Sequence, residues 1–227
     1  MYQRFFKRLF DIVLSLCALI VLSPVLLTIA ILVRKNLGRP VIFHQERPGK
    51  GEQIFRMYKF RSMSDARDEN GNLLPDAQRL TDFGRKLRAT SLDELPELWN
   101  ILKGDMSIVG PRPQLVRDMV FMTPDQRRRH TVRPGLTGWA QVNGRNILLW
   151  EDRLRYDLEY IDRIGFWEDF KIIFLTVACL FHHDDVATEG MATSEDLGDY
   201  LLRIGAVSDA EYAAKQGDAK KQLTLSR

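Results

Sequence analysis

A long uncharged segment near the N-terminus is the feature that most constrains this chain. Residues 12–33 are 22 consecutive positions without a charge, most of them Leu, Ile, Val or Ala. As a straight helix they would measure roughly 33 Å, which matches a bilayer core of about 30 Å. The segment is too long for the apolar part of a signal peptide and continues into Arg34 and Lys35 without a small-residue cleavage site. It therefore predicts membrane insertion in preference to a buried core helix.

Ser23 and Pro24 interrupt this segment near its middle. A proline inside a helix removes a backbone hydrogen bond and bends the axis, so each arm would reach only about half of the membrane. Basic residues flank both ends, whereas a spanning helix usually carries its positive excess on the cytoplasmic side alone. These residues are Arg4, Lys7, Arg8, Arg34, Lys35 and Arg39. We therefore expect residues 1–36 to form a re-entrant membrane helix in one leaflet, in preference to a spanning helix.

The composition of the whole chain suits one globular domain with an appendage. It has 227 residues, of which 45% are hydrophobic and 28% charged, and a net charge of +3. This excludes a disordered chain and gives no reason to expect a nucleic-acid partner. Cys17 and Cys179 both lie in apolar runs, which excludes a disulfide scaffold and favours a reducing, cytoplasmic setting. We expect a mostly helical α/β domain of the α+β type, with a small sheet, over residues 37–194.

Local patterns predict the elements of this domain. Stretches rich in β-branched and aromatic residues predict strands at residues 40–44 and 54–60, joined by a turn at residues 48–51. Helical periodicity follows at residues 92–102 and 150–161. The order of these elements is typical of a helical domain with a hairpin near its start.

Two segments near the C-terminus have simpler interpretations. The apolar run at residues 172–181 is too short to cross a bilayer, and it suits a helix in the membrane interface or a core helix equally well. The extension over residues 195–227 is charged and poor in large apolar residues. Its Ser208 and Glu211 match a capping box that predicts a short helix, and we expect residues 217–227 to fray.

Adjacent carboxylates at a predicted helix start are the first candidates for chemistry. In Ser91-Leu-Asp-Glu-Leu-Pro-Glu97, Ser91 and Glu94 match a capping box, in which both side chains would only satisfy free backbone donors. Pro96 weakens that interpretation, because a helix that starts at Asp93 or Glu94 tolerates proline in its first turn. In either case the helix dipole favours ionised carboxylates. Asp93 can act as a nucleophile or bind Mg²⁺, and Glu94 can orient it or exchange a proton.

Cationic and amide side chains in other motifs suit phosphate oxygens. Two prolines in Gly110-Pro-Arg-Pro113 would stiffen the backbone and pre-organise the Arg112 guanidinium, although a surface turn with a solvated arginine is equally compatible. Lys59 and Arg61 alternate to one face of a predicted strand and would deliver two charges to one place. A loop over residues 133–145 has three glycines and ends at an arginine, but it matches neither the Walker nor the Rossmann fingerprint.

Five motifs in this order resemble the bacterial sugar transferase family, the small monotopic phosphoglycosyl transferases. They occupy residues 59–63, 91–96, 103–107, 110–113 and 133–144. The resemblance covers residues 1–194. It includes the break at Ser23 and Pro24, which in this family belongs to a re-entrant membrane helix.

The resemblance implies transfer of a sugar 1-phosphate from a UDP-sugar donor to undecaprenyl phosphate, with release of UMP and a requirement for Mg²⁺. In that scheme Asp93 attacks the sugar-proximal phosphorus, forms a covalent phosphosugar intermediate and holds the metal, and Glu94 is its dyad partner. The residues implied to bind the substrate are Lys59, Arg61, Arg88, Arg112, Gln141 and Arg145. The implied location is the cytoplasmic face of the bacterial inner membrane, with membrane lipids as further partners.

The sequence constrains the identity of the transferred sugar less than it constrains the reaction. Residues 67–75 and 189–193 resemble segments of the transferase that initiates bacterial N-linked glycosylation, which implies N,N′-diacetylbacillosamine 1-phosphate and the first membrane step of glycoconjugate assembly. The same chemistry with UDP-glucose, UDP-galactose or a UDP-N-acetylhexosamine, for capsule, O-antigen or exopolysaccharide, is the near alternative. A non-catalytic membrane adaptor is the distant one. The sequence leaves open the role of the extension and whether the chain forms a homo-oligomer.

Overall fold

The computed structural model describes residues 2–144, 148–181 and 195–225. They form a mostly helical chain, as predicted, with two small sheets where one was expected. A π-helical turn at Tyr2–Phe6 precedes the first α-helix. The helices are α1 (Lys7–Val21), α2 (Ser23–Leu37), α3 (Asp76–Arg79), α4 (Asp82–Ala89), α5 (Glu97–Lys103), α6 (Val116–Met119), α7 (Trp139–Val142), α8 (Trp150–Arg163), α9 (Phe166–Phe181), α10 (Leu197–Arg203) and α11 (Asp209–Leu225). The strands are β1 (Ile42–Pro48), β2 (Ile54–Phe60), β3 (Ser107–Val109) and β4 (Gly135–Thr137).

Helices α1 and α2 meet at Leu22 with a bend of 63°. The predicted break at Ser23 and Pro24 coincides with this bend to within one residue, since α2 begins at Ser23. Pro24 lies in the first turn of α2, where its missing N–H leaves no intrahelical bond unmade. Among the described residues no single helix is long and apolar enough to cross a bilayer, and only this bent pair meets that requirement when its two helices are taken together.

Helix α1 reverses the usual polarity of an amphipathic helix. Lys7, Asp11 and Ser15, at intervals of four, are buried against the rest of the protein. Asp11 accepts hydrogen bonds from Ser107 Oγ and from the Ile108 N–H, both at 2.9 Å. The exposed side of the bent pair is apolar instead. Its exposed residues include Leu9, Phe10, Val13, Leu14, Leu16, Ile20, Val21, Val25, Leu27, Ile31 and Leu32.

Two small sheets organise the body of the protein. Strands β1 and β2 form the predicted antiparallel hairpin, with β1 longer than expected. Asn100 of α5 accepts a hydrogen bond from the Tyr58 N–H at 3.0 Å and donates to the Arg56 carbonyl at 2.7 Å, which fastens α5 to β2. Strands β3 and β4 are parallel, and a Cβ at Gly135 would lie 2.1 Å from the Gly110 nitrogen. The glycines therefore allow the loops after β3 and around β4 to touch.

Helix α9 combines the two predicted interpretations of its apolar run, a core helix and a helix in the membrane interface. Ile172 is fully buried and Asp169 contacts Lys7 of α1, so one side packs in the core. The opposite side exposes large apolar residues, as an interfacial helix would. These residues are Phe166, Trp167, Phe170, Phe174 and Val177.

The C-terminal extension is ordered and docked. Ser208 Oγ accepts a hydrogen bond from the Glu211 N–H at 3.3 Å, which confirms the predicted cap. The predicted fraying is wrong for residues 217–225, because α11 continues to Leu225 and buries Ala219 against α6. Leu197 of α10 is also buried, and its N–H donates to Asp118 at 2.9 Å.

Candidate active site

The adjacent carboxylates lie on a short turn rather than in a capped helix. Leu92–Glu94 is a 3₁₀ turn, and α5 begins at Glu97 directly after Pro96. Ser91 has a left-handed backbone with φ of 54°, and its side chain caps nothing. The capping-box interpretation of Ser91 and Glu94 is therefore wrong, because Glu94 is turned toward two cations instead of the backbone.

Glu94 is the centre of a partly buried ion-pair cluster. Lys59 Nζ lies 2.7 Å from Glu94 Oε1, and the Arg112 guanidinium donates to both Glu94 oxygens. Lys59 also contacts Glu97 Oε1 at 3.2 Å. The hairpin supplies Lys59, the loop after β3 supplies Arg112, and the turn before α5 supplies the carboxylates. Three distant motifs thus converge on one place.

The pKa values of Glu94 and Glu97 move in opposite directions in this cluster. Burial opposes the ionisation of Glu94, but Arg112 and Lys59 outweigh it and hold the pKa of Glu94 far below its ordinary value. Glu97 is 1% exposed, and burial raises its pKa to about 7 despite the nearby Lys59. Glu94 is therefore the permanent anion of the cluster, whereas Glu97 changes its charge near neutral pH.

Asp93 differs from its neighbour because it has charges nearby but no hydrogen-bond donor among the described residues. It is 7% exposed. Burial raises its pKa to about 6, and the Glu94 carboxylate adds to the rise, while Lys59, Arg88 and Arg112 oppose it. The Asp93 carboxylate is thus mostly ionised at pH 7 and more basic than usual, and none of the described residues donates a hydrogen bond that would reduce its nucleophilicity.

Arg88 and Arg61, two further predicted site residues, lie in different surroundings. Arg88 lies near Asp93 and donates through Nε to Ser62 Oγ at 2.9 Å. Arg61 has other partners than Lys59, and its predicted role in substrate binding stays a prediction. β2 ends at Phe60, and Arg61 donates to the Arg39 carbonyl at 2.7 Å and the Met63 carbonyl at 2.8 Å.

The structure describes the contacts of Gln141, but it does not describe Arg145. Gln141, on α7, donates to the Leu136 carbonyl at 2.9 Å, and its buried Oε1 has no partner among the described residues. Its contacts place it in the loop around β4, and its predicted role in substrate binding stays a prediction. Arg145 lies outside the described residues, as do residues 189–193, so their predicted contributions stay predictions.

Asp93 suits a magnesium site that substrate phosphates and water complete, rather than a site formed by protein ligands alone. Within the described ranges no group of three or more His, Cys, Asp or Glu side chains could hold a metal ion. Mg²⁺ is commonly held by one or two carboxylates together with substrate phosphates and water. Asp93 offers oxygens without a donor, whereas those of Glu94 already accept hydrogen bonds from Arg112 and Lys59. Asp93 therefore has the suitable donor chemistry.

Glu97 was not among the predicted site residues. The signal that could have found it is its spacing, because a carboxylate three residues after Glu94 lies one turn further along the same helix start. Arg129 and Asp157 were not predicted either, and they form an ion pair at 2.7 Å with side chains 1% and 2% exposed. No local pattern marks that pair, since 28 residues separate its members.

Comparison with known proteins agrees with the motifs. The model of the bacterial sugar transferase family matches residues 2–183. The uncharacterized sugar transferase EpsL of Bacillus subtilis (strain 168) is 47% identical over 189 residues, which cover 83% of this chain and 94% of that protein.

Longer relatives carry an activity in their names. UDP-glucose:undecaprenyl-phosphate glucose-1-phosphate transferases of Xanthomonas campestris pv. campestris and Escherichia coli (strain K12) are 43% and 44% identical over 182 and 187 residues. The matches cover 75% and 77% of this chain, but only 37% and 40% of those proteins. The chain thus spans less than half the length of these two relatives. By the family match and by these identities, the chain belongs to the bacterial sugar transferase family.

Proposed function

We propose that this protein is a phosphoglycosyl transferase, which moves a sugar 1-phosphate from a UDP-sugar to undecaprenyl phosphate and releases UMP. The observation that carries the proposal is the contrast between two adjacent carboxylates. Glu94 is bound by Arg112 and Lys59, while Asp93 is buried, has no donor among the described residues, and has its pKa raised to about 6. One carboxylate thus holds cations in place, and the other is prepared to attack.

The reaction has two phosphoryl transfers at one phosphorus. An oxygen of Asp93 forms a bond to the sugar-proximal phosphorus, the bond from that phosphorus to the bridging oxygen breaks, and UMP leaves with the electron pair. An oxygen of undecaprenyl phosphate then attacks the same phosphorus, and the Asp93 carboxylate is released. A covalent route lets one site take a soluble donor first and a lipid acceptor second.

Arg112 and Lys59 stabilise the charge that moves during both steps. In the free protein both cations contact Glu94, so they are already oriented. Phosphate oxygens of the donor replace part of these contacts, and the guanidinium can bind them in a bidentate way. Mg²⁺, held by Asp93 and the substrate pyrophosphate, would supply further neutralisation of the phosphate oxygens.

The donor is proposed to be a UDP-hexose or UDP-N-acetylhexosamine. Relatives are named as transferases of glucose 1-phosphate, as a galactose phosphotransferase and as an N-acetylgalactosamine phosphotransferase. These names support the alternative donors, and they give no support to N,N′-diacetylbacillosamine. A panel of UDP-sugars scored by UMP release discriminates among these donors.

The proposed location is the cytoplasmic face of the inner membrane, with α1 and α2 inserted in one leaflet. The apolar outer side of the bent pair and its buried polar stripe support this arrangement. Single cysteines at Gln3 and Gly38, in a variant without Cys17 and Cys179, should both react with a membrane-impermeant thiol reagent from the cytoplasmic side. Labelling of one position from the periplasmic side would contradict the re-entrant arrangement.

The decisive experiment measures UMP release by the full chain in lipid nanodiscs with UDP-sugars, undecaprenyl phosphate and Mg²⁺. A radiolabelled sugar phosphate should become attached to the wild-type protein when the lipid acceptor is left out. Asp93→Asn should abolish both labelling and turnover, whereas Asp82→Asn, at an exposed position, should retain both. Covalent labelling of the Asp93→Asn variant would remove Asp93 from the role of nucleophile. Absence of UMP formation from any donor would favour a non-catalytic adaptor.

A further inference from the structure

The backbone around Arg112 is held by an unusual set of donors. The carbonyls of residues 111, 112 and 113 each accept one hydrogen bond, and each donor belongs to a different part of the chain. The donors are the Gly135 N–H at 3.0 Å, Arg129 Nη2 at 2.6 Å and Arg47 Nη1 at 3.2 Å. Three consecutive carbonyls are thus satisfied by β4, by the 3₁₀ turn at Gln126–Thr131 and by β1.

The two prolines explain why side chains are needed for this purpose. Pro111 and Pro113 have no N–H, so they interrupt regular helix and ladder pairing in this loop. The Pro111 carbonyl still accepts from the backbone of β4, whereas the carbonyls of Arg112 and Pro113 take side-chain donors. Both prolines are buried, and a buried carbonyl without a donor is costly. A guanidinium provides several donors in a fixed plane, so it can reach a carbonyl and a carboxylate at the same time.

Arg129 uses its guanidinium in this bridging way. Its Nε donates to Asp157 Oδ2 at 2.9 Å, and its Nη2 lies 2.7 Å from the same carboxylate and 2.6 Å from the Arg112 carbonyl. Arg129 is 2% exposed, and Asp157 of α8 is equally buried. The bridge therefore links the Arg112 backbone to α8 through a pair that water does not reach.

A fixed carbonyl at Arg112 also fixes the direction of its side chain. A residue before proline is restricted to extended conformations, and the neighbouring proline rings fix φ on both sides. Once the carbonyl direction is set, the Cα–Cβ bond of Arg112 has little freedom. Its guanidinium reaches Glu94 from that starting point.

We propose that Arg129, held by Asp157, is a positioning residue that aims the Arg112 guanidinium at the reacting phosphate by binding the Arg112 carbonyl, and that Arg47 braces the next carbonyl in the same way. This inference rests on the proposed function, in which Arg112 stabilises the transferred phosphoryl group. Arg129 itself does not touch the substrate.

The competing interpretation is that the pair of Arg129 and Asp157 merely joins the Gln126–Thr131 turn to α8. A mutational cycle with Arg112 separates the two. Arg129→Lys keeps the positive charge beside Asp157 but cannot hold Asp157 and the Arg112 carbonyl in one plane. We expect it to lower kcat/KM for the UDP-sugar by about 10- to 100-fold, because small misplacements of a catalytic group have effects of this size.

The same substitution in an Arg112→Ala background should lower the remaining activity by less than about twofold, since the guanidinium that it positions is absent. Single-turnover labelling with radiolabelled donor provides the sensitivity for the slow background. A similar loss in both backgrounds would overturn the proposal. Arg128→Lys is the matched control, because the adjacent Arg128 is half-exposed and pairs with Asp125 and Asp162 on the surface. It should remain within about twofold of the wild type.

Hydrogen–deuterium exchange provides a measurement that does not depend on activity. In Arg129→Lys, and in Arg47→Lys as a second variant, exchange at residues 110–115 should accelerate while α11 stays protected. Unchanged exchange in that loop would also overturn the proposal. If the wild-type protein releases no UMP and forms no covalent adduct, the proposed function fails, and the exchange result still decides whether Arg129 holds the loop.

Discussion

Replacing Asp93 by Asn should stabilise the folded protein while it abolishes sugar phosphate transfer. Asp93 is 7% exposed and has no hydrogen-bond donor among the described residues, so its charge is held in an unfavourable environment. Asn has nearly the same shape and no charge. The substitution therefore removes a cost that the wild-type protein bears for the sake of a reactive carboxylate.

The size of the effect follows from the pKa of Asp93, which burial raises from 3.8 to about 6. The folded state therefore binds the proton more tightly than the unfolded state. Its stability relative to a neutral side chain is retained below about pH 4 and falls as the pH rises through about 6. The raised pKa lowers the unfolding free energy by about 1 kcal/mol at pH 4.5, where folded Asp93 is mostly protonated, and by about 3 kcal/mol at pH 7.5, where it is mostly ionised.

Thermal unfolding in nanodiscs, with EDTA present, measures this difference. Asp93→Asn should melt roughly 6–12 °C above the wild type at pH 7.5, and the gain should shrink by about two thirds at pH 4.5. Glu94→Gln is the internal contrast, because Glu94 is stabilised by Arg112 and Lys59. It should lower the unfolding free energy by about 2–3 kcal/mol. A gain for Asp93→Asn that does not change with pH, or a loss at pH 7.5, would refute the reasoning.

Three further predictions concern the framework of the site. Gly135→Ala places a Cβ 2.1 Å from the Gly110 nitrogen and should prevent folding, which soluble yield and melting would reveal. Truncation after residue 194 removes α10 and α11, which bury Leu197 and Ala219, and should lower the unfolding free energy by at least about 2 kcal/mol, whereas an unchanged melting temperature would show that the extension contributes nothing. Asp169→Ala leaves the buried Lys7 ammonium without its carboxylate partner and should lower the unfolding free energy by about 3–5 kcal/mol. The double substitution Lys7→Met with Asp169→Leu should lower it by less.

Local sequence patterns predicted correctly those elements whose structure depends on a short stretch of chain. The hairpin over β1 and β2 followed from β-branched and aromatic residues around a glycine turn, and the bend at Leu22 followed from Pro24. The strand pattern did not specify the partners of Arg61, which are the carbonyls of Arg39 and Met63. The capping-box interpretation was wrong for Ser91, which has a left-handed backbone and a side chain that caps nothing.

The sequence by itself determined which chemical groups are present and where the chain bends. It placed Asp93 and Glu94 side by side, put Arg112 between two prolines, and provided an uncharged segment with a break. Only the tertiary structure decided that these adjacent carboxylates differ. Their pKa values depend on burial and on cations from distant motifs, and no local pattern specifies which carboxylate meets Lys59 and Arg112. The bridge from Asp157 through Arg129 to the Arg112 carbonyl belongs to the same class, because its members are far apart in the chain and meet only when the core is packed.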